Sequence, residues 1–425
     1  MTSELTPART GDGIADPLDV ERIKKDFPIL RREIAGKRLV YLDSASSSQK
    51  PESVLEAMEH CYRHYYANIH RGVYTIAEES TAAFEAARAR VAAFVNAPSS
   101  RELVFVRNAT EAINLVAYSW GRANLREGDI VVLSHMEHHA NVVPWHMLAA
   151  ERGIELRWIP MTSDFQLDLG NLDALLDGAS LLAVSAMSNV LGTINDIPFL
   201  ADAAHARDAL ILVDACQYVP HVATDVQAWD ADFVAFSSHK MLGPSGIGAL
   251  WGRETLLDAM PPFLGGGEMI NDVRLDGFTP NELPWKFEAG TPAIAEAVGF
   301  GAAVDYLERL GMDAVRDHEM RLTRYTLDAL RERFPDTLTV YGPQDISVRG
   351  GAVSFLFDGI HAHDVSQVLD GDGVCVRAGH HCAKPLMRQL GVPATTRASA
   401  YVYNDEEDVD VLVESLARAE RFFTG

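Results

Sequence analysis

Between residues 100 and 252 the hydrophobic positions fall into short, almost unbroken runs. Longer stretches separate them, and there apolar residues recur every three or four positions. The runs are LVFVR (103–107), IVVLS (130–134), IELRWI (154–159), LLAVSA (181–186), LILVD (210–214), DFVAFS (232–237) and GALW (248–251). Short β-branched runs with no polar face are strands covered on both sides. Seven of them, most linked by helical crossovers, predict a mainly parallel seven-stranded sheet in a large α/β domain.

After a stretch rich in glycine and proline (261–292) the pattern changes. Helical periodicity over Ala295 to Leu310 and Met312 to Phe334 is followed by short strands at 338–341, 352–357 and 374–377, and by a terminal helix from about Glu406. The expected organisation is a large domain over 41–293 and a smaller α+β C-terminal domain over 294–425. Residues 1–18, rich in Thr, Pro, Gly and Asp, read as a disordered lead-in. Residues 19–40 are expected to pack with the small domain. No internal repeat is visible.

Composition narrows the function. The chain has 425 residues, 48% hydrophobic and 23% charged, with 37 basic against 60 acidic side chains for a net charge of -23. That balance excludes a general affinity for nucleic acid or anionic membrane, so any phosphate must be captured locally. No apolar run approaches the roughly 18 residues of a membrane span, and the first residues carry no secretion signal, so a cytoplasmic location and no membrane partner are expected. Cys61, Cys216, Cys375 and Cys382 are widely spaced and expected to be free thiols. The sequon at Asn108 is read as accidental.

In a parallel α/β sheet, ligands bind beyond the carboxyl ends of the strands. Here those ends carry Asp214, with Gln217 three residues on; Ser237-Ser238-His239-Lys240; Asn189; His138 and His139; and Thr110. An acid and an amine after adjacent strands suit pyridoxal phosphate: the amine bonds the cofactor aldehyde, and the carboxylate keeps the ring nitrogen protonated. The glycines after Lys240, in KMLGPSGIG, let the backbone turn tightly beneath it. The turn Asn108-Ala109-Thr110 offers free amides at a helix start, as an anion cradle or simply as a helix cap. Neither the His135–His139 cluster nor His380-His381-Cys382 has the usual spacing of metal ligands, so no metal is expected. Cys382 lies in a loop with Arg377, His380, His381 and Lys384, whose charge would favour a thiolate, whereas Cys61, Cys216 and Cys375 read as structural. Arg397 is suited to clamp a carboxylate, or to form a surface ion pair. His361 and His363 read as exposed loop residues or docking residues.

These segments together resemble the cysteine desulfurases of the SUF type, within the class V aminotransferase family of pyridoxal phosphate enzymes. The matching stretches include YLDSAS (41–46), NIHRGVYT (68–75), RNATEAINLVA (107–117), MEHHANVVPW (136–145), SNVLGTIND (188–196), VDACQ (213–217), SSHKMLGPSGIG (237–248), FEAGTP (287–292), RAGHHCAKPLM (377–387) and RAS (397–399). The resemblance implies the fold type I of pyridoxal-phosphate-dependent transferases. It also implies that Lys240 bonds the cofactor, Asp214 meets the ring nitrogen, Gln217 the ring hydroxyl, and that His138 stacks on the ring. Ala109, Thr110, Ser237 and His239 would hold the phosphate, helped by Thr291 of a neighbouring subunit in a homodimer. The turn Asn-Ala-Thr replaces the Gly-Thr-Thr frequent in that family, which removes one hydroxyl contact. Asn189, Arg397, Arg377 and His70 would surround the substrate.

The implied reaction converts L-cysteine to L-alanine and leaves a persulfide on Cys382 for iron-sulfur cluster assembly. The short cysteine loop implies a dedicated sulfur-acceptor protein of the SufE or SufU type. A selenocysteine lyase, a lyase that does not use Cys382 and a silent assembly scaffold are the rival readings.

Overall fold

The computed structural model describes residues 18–424. Apart from Leu18, the expected lead-in lies outside the described residues.

The seven runs form one sheet of strands β1 (Leu103–Val106), β2 (Ile130–Ser134), β3 (Glu155–Ile159), β4 (Ala179–Ser185), β5 (Leu210–Asp214), β6 (Phe233–Ser237) and β7 (Gly248–Gly252). Their spatial order is β1-β7-β6-β5-β4-β2-β3. Only β7 runs antiparallel to its neighbours β1 and β6. Alternation along each strand sorts the side chains between two cores. Val132, Leu182, Val184, Ile211, Val213, Val234, Phe236 and Trp251 join one core, with Phe84, Val91 and Phe300 of helices Thr75–Phe94 and Ile294–Leu310. Val131, Leu133, Leu181, Ala183, Leu212, Phe233, Ala235 and Leu250 join the other, with Ile113, Trp145 and Leu148. Burial on both faces explains why the inner strands lack polar positions, whereas the edge strand β3 keeps Glu155 and Arg157. No described helix is long and apolar enough to cross a membrane.

The small domain is built on a four-stranded antiparallel sheet: Leu338–Tyr341, Ala352–Phe357, Thr395–Ser399 and Arg377–Gly379, in that order. Its core joins Leu327, Leu330 and Phe334 to Phe355, Leu369, Leu412 and Leu416, and it also takes in Val40 and Leu42. Two expectations are corrected here. The run VCVR is not one strand: Val374–Cys375 pairs in parallel with Val40–Tyr41, and Arg377–Gly379 pairs with Thr395–Ser399. The chain changes sheets at Val376, because its first half covers the N-terminal segment and its second half closes the small sheet. The stretch 261–292 also holds a hairpin, Ile270–Arg274 with Gly277–Pro280, whose exposed positions give no burial pattern to read. The N-terminal segment is tied to the last helix by ion pairs of Lys24 with Asp408 (3.2 Å) and of Arg38 with Asp408 (2.5 Å).

A buried ion pair joins helix Thr75–Phe94 to the sheet. The Arg88 guanidinium donates to both oxygens of Glu288, at 2.5 and 2.8 Å, and to the carbonyl of Leu103, while Glu288 also accepts the Phe105 amide. Both side chains are almost inaccessible. Removing one partner leaves an uncompensated charge, so Arg88→Met is expected to lower stability by about 3–5 kcal/mol. Urea denaturation followed by circular dichroism checks this.

Candidate active site

The strand order makes the site. Connections from β2 run outward to β3, whereas those from β4 run the other way to β5 and β6, so β2 and β4 are neighbours whose following loops diverge. A crevice opens at such a switch point. His138 and Asn189 leave it from β2 and β4, and Asp214 and Lys240 follow from β5 and β6. The resulting cavity, of about 230 Å³, is also lined by Ala109, Thr110, Gln217, Ser237, His239, Arg377, His381, Cys382 and Arg397. Sequence positions more than 270 residues apart, from both domains, therefore share one wall.

Lys240 ends a short turn, Ser238–Lys240, directly after β6. The chain then folds back so closely that a Cβ on Gly243 would lie 2.0 Å from Ser238 Oγ, and Gly246 takes a φ of +86°. Only glycine fits the first position without displacing its neighbour. The Lys240 amine makes no ion pair or hydrogen bond among the described residues. Asp214 accepts the Cys216 amide on one carboxylate oxygen (3.0 Å), and no N–H or O–H among the described residues donates to the other. Gln217 donates to the Ala45 carbonyl (2.8 Å).

Burial governs the imidazoles. It pushes His138 down to about 4, helped by the Lys240 charge, and His239 down to about 4, helped by Lys240 and Lys50. His138 Nδ1 accepts the Ala140 amide (3.0 Å), which puts the ring proton on Nε2. At the opposite end of the cavity, Asn108 caps helix Ala109–Leu115 by accepting the Glu111 amide, and the Ala109 amide donates to Ser237 Oγ (2.9 Å). The exposed Thr110 hydroxyl has no partner among the described residues, so this helix start keeps donors free for an anion.

The small domain contributes Arg397 and the cysteine loop. Arg397 is buried; it donates to the Asn189 carbonyl (2.7 Å), to Ser46 Oγ (2.8 Å) and to Asp43 (3.2 Å), and its Nε has no partner. Ser46 also accepts from Arg377 (2.9 Å). His381 and Cys382 both have positive φ, +49° and +55°. Three contacts hold this uncommon backbone: Asn189 donates to the His381 carbonyl (2.7 Å), His139 N–H to the Cys382 carbonyl (2.7 Å), and the His381 ring is bonded to Thr395 (2.9 Å). Cys382 is half-buried at the cavity wall.

Some expectations change. His70 is not in the cavity; its ring is bonded to Glu85 (2.8 Å), on the next helix, and to Glu268 (3.0 Å), on a loop far from it in sequence. Thr291, expected to act from a neighbouring subunit, is exposed and outside the cavity of its own chain. His381 adds no positive charge beside Cys382, because burial, with Arg397 and Arg377 nearby, pushes its pKa down to about 3. Cys375 is half-buried, not a core residue. Asp43 and Ser46, which orient the two arginines, were not assigned roles from the sequence; the polar loop DSASSS after a short strand was the available signal. Glu137 was also missed. It lies fully buried, accepts from Ser185 N (3.0 Å), Ser185 Oγ (2.6 Å) and Asn141 (2.8 Å), and burial raises its pKa to about 7. It ties β2 to β4 just before His138.

A free amine, an open carboxylate oxygen and an anion cradle around one cavity fit the aldehyde, ring nitrogen and phosphate of pyridoxal phosphate. The family model for class-V aminotransferases matches residues 40–412. The chain belongs to the class-V aminotransferase family. Within it, the chain is 49% identical over 412 residues to a probable cysteine desulfurase of Streptomyces coelicolor, covering 96% of this chain and 98% of the relative. The apo structure of a cysteine desulfurase from Thermococcus onnurineus NA1 superposes with a TM-score of 0.90 at 38% identity, covering 95% of this chain and 98% of that one. The S-sulfonic acid form of the Escherichia coli cysteine desulfurase CsdA gives 0.88 at 38% identity, covering 96% and 100%. The fold is therefore that of the type I pyridoxal-phosphate enzymes, and pyridoxal phosphate is the cofactor of the family.

The His381 shift carries a pH dependence. Below about pH 6.5 the unfolded chain binds this proton, whereas the folded chain does not until about pH 3. The stabilisation is thus complete above 6.5 and falls as the pH drops. Between pH 7.5 and pH 5, wild type is expected to lose about 2 kcal/mol more stability than His381→Gln. Urea denaturation at the two pH values measures the difference.

Proposed function

We propose that the protein is a pyridoxal-phosphate-dependent cysteine desulfurase of the SUF type, forming L-alanine and a persulfide on Cys382. The observation that carries this is one cavity lined by Lys240 and Asp214 from the large domain and by Cys382 and Arg397 from the small one. An enzyme that moved only the amino group would have no use for a cysteine held at that wall.

The cofactor, bonded to Lys240, supplies an electron sink next to the substrate Cα. Asp214 would hold a proton at the ring nitrogen, and the Lys240 amine, released when the substrate amine takes its place on the cofactor aldehyde, would take the Cα proton. Neutral His138 would offer an uncharged surface to the ring, and Gln217 would serve the ring hydroxyl. Ala109, Thr110, Ser237 and His239 would hold the phosphate. Arg397 binds the substrate carboxylate with Asn189 beside it, and Arg377 borders the same wall. The Cys382 sulfur then attacks the substrate sulfur. An S–S bond forms, the Cβ–S bond breaks, and its electron pair stays with the carbon fragment, which gains protons to become alanine. No outside oxidant is needed.

The strained, pinned cysteine loop supports transfer to a dedicated sulfur acceptor for iron-sulfur cluster assembly, because Cys382 cannot swing out to arbitrary thiols. A homodimer is supported by exposed apolar side chains on two tethered segments. Val73, Tyr74 and Ile76 on one and Val273, Leu275 and Phe278 on the hairpin are exposed, and Arg71 links the two segments through Glu268 and the Ile270 carbonyl. Exposed apolar patches mark interfaces. In the dimer, Thr291 would reach the partner's phosphate.

The purified protein is expected to be yellow and to make alanine and a Cys382 persulfide from L-cysteine. Cys382→Ala should lose catalytic turnover and the persulfide while staying yellow; mass spectrometry and an alanine assay decide. A yellow protein whose turnover ignores Cys382 would sink the proposal. Arg397→Lys, which cannot reproduce the forked contact, is expected to raise KM for L-cysteine roughly 10- to 100-fold, measured from initial rates.

A further inference from the structure

His139 and His380 come from opposite domains, yet their rings approach to 5.6 Å between centroids. One ring nitrogen of each and the Cys382 sulfur all lie within 4.8 Å of one another. The two histidine motifs that lack metal-ligand spacing along the sequence thus complete each other in space. Among the described residues, this is the single group of three or more histidine, cysteine or acidic side chains placed to share an ion.

We propose that His139, His380 and Cys382 form a binding site for a divalent zinc-like ion that blocks Cys382 reversibly. The proposal rests on the desulfurase reading only for its consequence, since an ion on the sulfur occupies the lone pair that Cys382 needs to accept sulfur. Imidazole nitrogen and thiolate sulfur are both zinc donors, and three protein ligands leave a fourth tetrahedral position open. Zn–N bonds of about 2.0 Å and Zn–S bonds of about 2.3 Å require donor atoms roughly 3.5 Å apart in a tetrahedron, so a contraction of about 1 Å closes the site.

Both rings present an unprotonated nitrogen. His139 Nε2 accepts the Lys384 amide (3.0 Å), and His380 Nδ1 accepts the Cys382 amide (3.1 Å). Burial, with His380 and Lys384 nearby, also holds the His139 pKa below its usual value. An ion bound through these nitrogens would take their lone pairs from two backbone amides. The exchange favours a reversible regulatory ion over a permanent structural one. The Lys384 ammonium is exposed and solvated, which weakens its repulsion of the ion. On binding, Cys382 gives its thiol proton to solvent, the sulfur and two nitrogens each donate one electron pair, and water keeps the fourth position. Nothing is oxidised or reduced.

The test uses the cofactor-loaded, full-length protein without L-cysteine, titrated with Zn²⁺ in equilibrium dialysis and with Co²⁺ in absorption. The expected result is one ion per chain and a thiolate-to-cobalt charge-transfer band, with both lost in Cys382→Ser. Affinity should fall at least about tenfold in His139→Gln and in His380→Gln. Using one variant from each domain guards against a local loss of folding. No bound ion, or binding undiminished in Cys382→Ser, as at the exposed His60 and His64 pair, overturns the proposal. A protein that binds the ion through Cys382 but makes no alanine from L-cysteine keeps this site and refutes the desulfurase reading. One that makes alanine without binding the ion does the reverse.

Discussion

Arg397 is a buried charge that ties the small sheet to the segments around the cavity. It sits on a strand of the small sheet, is almost completely buried, and reaches the Asn189 carbonyl of the large domain and Asp43 and Ser46 of the N-terminal stretch. A buried guanidinium demands partners for all its donors, and here one nitrogen stays unpaired. The charge is also only partly matched, because its one carboxylate neighbour, Asp43, is itself partly exposed. The same residue therefore fastens the domains together and leaves an electrostatic demand at the cavity wall. An amino acid carboxylate is the kind of group that answers it.

Burial also decides which groups in the cavity carry charge. Three imidazoles, of His138, His239 and His381, are held neutral by removal from water, with nearby lysine and arginine charges acting in the same direction. Their loss of charge limits the repulsion that Lys240, Arg377 and Arg397 would otherwise meet in so small a space. Glu137 is the counterpart beneath the floor, a carboxyl pushed upward by burial and satisfied by serine and asparagine donors. It fixes β2 against β4 and so sets where His138 leaves the sheet.

The cysteine loop stores strain that the surroundings hold in place. Two successive residues with side chains occupy the left-handed region, at a cost of order 1–3 kcal/mol each. The opposing contacts come from Asn189, His139 and Thr395, which belong to three separate segments and to both domains. The position of Cys382 is thereby tied to the packing of several segments and not to the loop alone.

The sequence by itself determined the sheet. Strands buried on both faces must be apolar throughout, and that pattern survives in a one-dimensional reading, as does the identity of the residues that end each strand. Lys240 and Asp214 could be placed on the cavity rim because Asp214 ends one such run and Lys240 lies three residues beyond another. What the sequence did not determine was anything that depends on two segments meeting. The hairpin at 270–280 is exposed, so no burial pattern marked it, and the run VCVR proved to serve two sheets. His70 turned out to be engaged by Glu85 and Glu268. The pairing of His139 with His380 and Cys382 arises only when the small domain closes on the rim of the large one. Local apolar periodicity is written along the chain, whereas the approach of polar side chains more than 200 residues apart is set by packing, and only the tertiary structure decides it.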